Sequence, residues 1–248
     1  MAKKNVTPSA AETQPALNKH EDFILKYKNI IIGCVVALVV IIAAIIFFNS
    51  HRSGQLKDAQ TAMQVPELSL EQAMNELNIS TQNFGQEEFS IALNGDSTGR
   101  KGFLKIADEY SSTKAGNLAN LYAGLCYAHM DEWENAVKYL EKYDDAGDIL
   151  VAPAALGALG NAYAHLGQAD QAVSTLKKAA EKADNLLLSP IYYIQAGEIL
   201  ESQGKKAEAL ELYKKVKQYD RQKNIPGLSN QTSPYVDMID EYIQRVSE

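Results

Sequence analysis

The sequence predicts an all-α protein: a single N-terminal transmembrane helix, then a helical-repeat solenoid closed by a C-terminal capping helix. Two observations carry this. Glycine and alanine recur as pairs twelve residues apart (Gly124 and Ala136, Gly160 and Ala172, Gly197 and Ala209), and the pairs step by 36 and 37 residues. A fixed period of that size is the mark of repeated helix pairs, and such arrays present extended surfaces that bind proteins. Ahead of them, Ile30 to Phe48 is nineteen residues without a charge. As a helix it measures about 28 Å, close to the hydrocarbon thickness of a bilayer.

The elements follow in order. Residues 1–22, with Thr7, Pro8, Ser9 and Pro15 and few apolar side chains, read as a disordered cytoplasmic tail. Residues 23–50 form the anchor. It ends Phe47-Phe48-Asn49-Ser50-His51-Arg52, which lacks the small residues of a signal-peptide cleavage site. Lys3, Lys4, Lys19, Lys26 and Lys28 precede the span, while only Arg52 and Lys57 follow closely. The positive-inside rule then places a single-pass protein in a bacterial inner membrane, with the N-terminus cytoplasmic and the C-terminal domain periplasmic.

Residues 51–97 read as a helical neck. Leu56, Ala59 and Met63 support a helix that stops at Pro66, and Ser69-Leu70-Glu71-Gln72 has the pattern of a capping box. Asn94-Gly95-Asp96 signals a turn. Residues 98–248 are the repeat domain with its cap. Phe103, Leu104, Ile106, Ala107 and Tyr110 make the apolar face of a leading helix.

Each later unit is a helix pair. Leu118, Leu121, Leu125 and Ala128 line the first helix of the first pair, and Asp131 with Glu134 predicts a capping box for the second. Pro153 opens the next pair, and Ser189-Pro190 the one after it, as a serine cap with proline in the first turn. Glycine inside a helix costs about 1 kcal/mol relative to alanine. Three glycines at one register therefore imply a close approach between paired helices. Ser233 and Pro234 predict the start of a final helix with Tyr235, Ile239, Tyr242 and Val246 on its apolar face.

Composition narrows the function. The chain has 248 residues and a net charge of -7. Five lysines against Glu12, Glu21 and Asp22 give residues 1–50 a charge of +2, which leaves -9 for the rest. An acidic domain of that kind disfavours nucleic acid as a partner. Cys34 and Cys126 lie far apart in the chain and predict no disulfide. No phosphate-binding glycine loop, Gly-x-Ser-x-Gly elbow or His-Glu-x-x-His motif occurs. The expectation is a protein that is not an enzyme and takes no cofactor and no metal. His129 and His165 share a repeat position, but no third ligand accompanies them at metal spacing.

Gly124, Tyr127 and Ala136, then Gly160, Tyr163 and Ala172, resemble the tetratricopeptide repeat pattern; the third unit departs, with Leu200 in place of the tyrosine. The aromatic near the start of each first helix is present only as Tyr193, with Asn120 and Leu156 in the other units. In that family the first helix of each pair lines a concave groove. Register then implies a protein-binding groove of Leu118, Leu121, Leu125, His129, Gly157, Asn161, His165, Ile194, Glu198 and Glu201. With no lysine or arginine among them, these residues do not form a carboxylate clamp. They suit an apolar or basic segment.

A short tail, one span and a C-terminal repeat domain together resemble the YfgM-like family of bacterial inner-membrane proteins. That resemblance implies a non-catalytic, membrane-tethered scaffold that handles exported proteins, with the Sec translocon and periplasmic chaperones as partners. The alternative is a self-assembling homo-oligomer that organises a cell-envelope assembly complex.

Overall fold

The computed structural model describes residues 14–79, 85–145, 147–221, 235 and 238–247, and its regular elements are α-helices. The chain divides into two compact units, Met1–Gly54 and Gln55–Glu248. Helix α1, Gln14–Ile79, supplies the described residues of the first unit and continues into the second. Residues 1–13 of the expected tail lie outside the described residues.

The expected transmembrane anchor is corrected here. Among the described residues no helix is long and apolar enough to cross a membrane. The single-pass inner-membrane localisation and the tethering of the domain rested on that span and fall with it.

The expected break at Pro66 is also absent. Pro66 lies inside α1 and is fully buried, so Ser69 caps nothing. Proline there removes one helical hydrogen bond; burial of its ring offsets part of that loss. Nor is the segment after it a free neck. Met63 and Ala73 of α1 join Phe89, Ala92 and Leu93 of α2 (Gln86–Asn94), Phe103 and Ile106 of α3 (Phe103–Glu109), and Ala119, Ala123 and Cys126 of α4 (Lys114–His129) in one core.

Two further cores succeed it along the chain. Leu121 of α4, Ala136 and Leu140 of α5 (Trp133–Leu140), and Ala155 and Ala162 of α6 (Ala152–His165) form the first. The second joins α7 (Ala169–Ala183), α8 (Leu188–Ser202), α9 (Lys206–Arg221) and α10 (Ile239–Ser247) around Leu176, Tyr193, Leu200, Tyr213, Val216 and Ile239. From α3 onward each helix packs on its predecessor and its successor in the chain. The predicted start of the last helix at Ser233 lies outside the described residues.

The turns inside the pairs share one design. Asp131, Gly167 and Gly204 all have left-handed backbones, with φ of 59°, 71° and 74°. The next residue's amide donates to the carbonyl five back: Glu132 to Tyr127, Gln168 to Tyr163 and Lys205 to Leu200, each at 2.9 Å. The left-handed residue itself donates to Ala128, Ala164 or Glu201. This is the Schellman closure of a helix C-terminus. Asp131 therefore ends α4 and does not cap α5, whose first flanking residue is Glu132.

Candidate protein-binding face

The ten groove residues sit on α4, α6 and α8, as the register requires, and neighbouring helices engage most of them. Leu121 is buried in the α4–α5–α6 core, with Leu118 and Leu125 half-buried against it. Gly157 is buried against the ring of Tyr192 on α8, and Ile194 is buried in the last core. Asn161 is half-buried on α6.

The two histidines do not meet. His129 stacks on Phe89 of α2 with ring centroids 4.9 Å apart, and His165 stacks on Trp133 of α5 at 3.7 Å. Desolvation of the stacked face holds the His129 imidazole below its ordinary pKa, although the residue as a whole is exposed. Each imidazole continues a hydrophobic surface and ends in a polar edge. Among the described residues no group of three or more His, Cys, Asp or Glu side chains could hold a metal ion.

Helix α10 reaches both Glu198, which is exposed, and Glu201, which is half-buried. The Tyr242 hydroxyl donates to Glu198 Oε1 at 3.1 Å. Arg245 donates through Nε and Nη2 to the two oxygens of Glu201, at 2.6 and 2.8 Å, and the Tyr213 hydroxyl adds a third bond at 3.0 Å. The Arg245 guanidinium, and then Tyr213, hold the Glu201 carboxyl below the usual carboxylate range. Burial first, and then the bond to Glu201, push the Tyr213 phenol up. Register reasoning missed Phe89, Trp133, Tyr192, Tyr242 and Arg245. For the last two a signal existed: Tyr242 and Arg245 repeat the three-residue spacing of Glu198 and Glu201.

A different surface is left open. Helix α5 has 8 residues where α7 has 15 and α9 has 16, so the second half of its course is a loop. Pockets of about 460 Å³ flank that loop on both sides and share Tyr143 and Asp145. Lys182 reaches from α7 to pair with Asp145 and lowers its pKa. Across the first pocket the Tyr163 hydroxyl donates to Glu141; burial and that bond push the phenol up to about 12. Ile149 and Leu150 on the α5–α6 loop are 76% and 81% exposed, and Leu187 on the α7–α8 loop is 65% exposed. Leu150 and Leu187 stand 37 residues apart, one repeat step.

The chain matches the family described as "T7SS, ESX-1 secretion system protein EccA1, N-terminal domain" over residues 54–227. No curated protein matches it. The family match overturns the assignment to the tetratricopeptide and YfgM-like families. The Gly–Tyr–Ala spacing reflects the packing of paired helices and does not by itself select a family. The expected scaffold role beside the Sec translocon and periplasmic chaperones loses its basis with that assignment. A domain of a secretion-system component implies protein partners. Because the match takes in well over half of the sequence, the chain belongs to the family of the type VII secretion protein EccA1 N-terminal domain.

Proposed function

We propose that this chain is a non-catalytic, protein-binding component of a type VII secretion system. The observation that carries the proposal is the family match over residues 54–227. The surface supports it. Ile149 and Leu150 on the α5–α6 loop and Leu187 on the α7–α8 loop offer exposed apolar side chains, and two pockets bounded by charged groups flank the first of these loops. Asn161, Leu118 and Leu125 extend the accessible part of the α4–α6–α8 face. Exposed apolar groups with a polar surround are the usual make-up of a docking site. Three of the shifted groups are tied into internal pairs, Glu201 with Arg245, Asp145 with Lys182, and Tyr163 with Glu141. The pairs lower the two carboxylates, and burial with the bond to Glu141 raises the Tyr163 phenol.

The test is photocrosslinking in cells from residues placed at Leu150, Leu187 and Asn161, followed by identification of the adducts. Subunits or substrates of a type VII secretion system are expected from at least one position. Adducts confined to Sec components, or to unrelated soluble enzymes, would sink the reading.

A further inference from the structure

Three features place α10 apart from the helix pairs. It lies beyond residue 227, where the family match ends, so the matched domain closes at α9. It is nine residues long, with Ile239 and Val246 buried on one side, and a helix of that length is marginal alone in water. And its link to the array is a specific polar reading beside an apolar contact. Tyr242 and Arg245, one turn apart, meet Glu198 and Glu201, one turn apart on α8. The Tyr242 ring stands edge-on to Tyr213 at 5.3 Å, and Arg245 lies over the Tyr242 ring at 4.6 Å. Lys217 of α9 pairs with Asp240 at the other end of the helix.

We propose that the end of the array formed by α8 and α9 is an interaction surface for an amphipathic helix carrying a tyrosine and an arginine three residues apart, and that α10 is its resident occupant, displaced when a partner helix of that kind binds. The partner's chemistry follows from the seat. Two carboxylates one turn apart select a hydroxyl and a guanidinium at matching spacing, and the bidentate fork of arginine fits Glu201 in a way that lysine does not. Tyr213, Val216 and Leu212 supply the apolar floor. Seventeen residues separate Arg221 from Ile239. The resident helix therefore competes at the high effective concentration of a tethered ligand, on the order of millimolar. A partner must exceed that, which makes α10 a threshold on binding.

The proposal rests on the protein-binding reading of the chain, and its test is separable from that reading. The probe is a fluorescent peptide with the sequence of residues 235–248, added to the full chain and followed by anisotropy. The wild-type chain is expected to bind it weakly, because α10 holds the seat. Arg245→Glu repels Glu201, frees the seat, and is expected to bind the peptide about tenfold tighter, the scale of one charge-assisted hydrogen bond. Glu201→Arg is expected to abolish binding. Glu201→Arg combined with Arg245→Glu is expected to close the seat again.

Equal peptide affinity in the wild type and Arg245→Glu would overturn the proposal. So would loss of helical circular dichroism beyond the nine residues of α10 in Arg245→Glu, since α10 would then be a fixed structural cap. A wild-type dimer that Arg245→Glu dissolves would make the second copy the occupant, and would overturn it too. Equal affinities leave the crosslinking result untouched, and crosslinks that miss the secretion system leave the peptide result standing.

Discussion

The ring of Tyr213 occupies the space in which a side chain at Gly197 would begin. The same relationship recurs one and two units earlier, where a β-carbon on Gly160 would lie 2.7 Å from Leu176 Cγ and one on Gly124 would lie 2.6 Å from Leu140 Cγ. The large partner stands sixteen residues after each glycine. Gly124→Ala, Gly160→Ala and Gly197→Ala should each destabilise the domain by about 1–3 kcal/mol through overpacking, despite alanine's better helix propensity. Urea titrations of the three variants check this, and an unchanged midpoint in all three would refute the close-approach account.

Asp131 holds the left-handed position that glycine fills in the two later turns. A side chain is strained there, although aspartate tolerates the region better than most. Asp131→Gly should therefore stabilise the domain, by up to about 1 kcal/mol, whereas a helix cap at this position would make the same change destabilising. Thermal unfolding of the variant decides the sign.

Ser189 is wholly buried; its hydroxyl donates to the Ala180 carbonyl at 2.8 Å and accepts from the Asn185 amide at 3.0 Å. Ser189→Ala takes away the acceptor of the Asn185 amide, while the Ala180 carbonyl keeps its bond from the Asp184 amide, and should cost about 1–2 kcal/mol. Hydrogen exchange should quicken at the Asn185 amide before it does elsewhere in α7 and α8, and unchanged protection there would remove the latch.

His129 gives a pH dependence with a definite sign. Its folded pKa is depressed below 6.5 by desolvation. The stability linked to its neutral form is therefore complete above about pH 6.5 and is lost as pH falls through the lower folded value. Wild type should lose stability between about pH 7 and 5 by an amount that His129→Phe does not. Parallel urea titrations at the two pH values provide the comparison; identical pH slopes would rule the histidine out.

Trp133 is the one tryptophan in the sequence, and His165 covers its face at 3.7 Å. His165→Ala should uncover the indole and shift its emission to the red without a large change in helicity. An emission maximum that does not move would mean that the stack does not shield the ring in solution.

The helix pairs were legible because glycine is scarce inside helices, so its recurrence points to a contact. The identity of that contact was not legible. Alanine at the twelfth residue and leucine or tyrosine at the sixteenth both fit an apolar face, and only the paired backbones show that the sixteenth meets the glycine. Asp131 was misread because a residue between two helices suits a cap and a closing turn equally well. Pro66 predicted a helix end by a local rule that burial among other helices overrode. Register placed the ten candidate residues on α4, α6 and α8. It could not reveal that Glu198 and Glu201 face α10, since 44 residues separate each from its partner there.

Those separations also set an order in time. A contact sixteen residues apart closes a small loop at little entropic cost and can form while the chain is still being made. Each helix pair thus becomes able to fold as soon as its second helix has left the ribosome. The bond between Glu201 and Arg245 must wait until 44 further residues have been added after Glu201. In the interval before α10 is made, the end of α8 and α9 stays open after the preceding helix pairs have been able to close, and there a nascent chain is exposed to capture by another polypeptide.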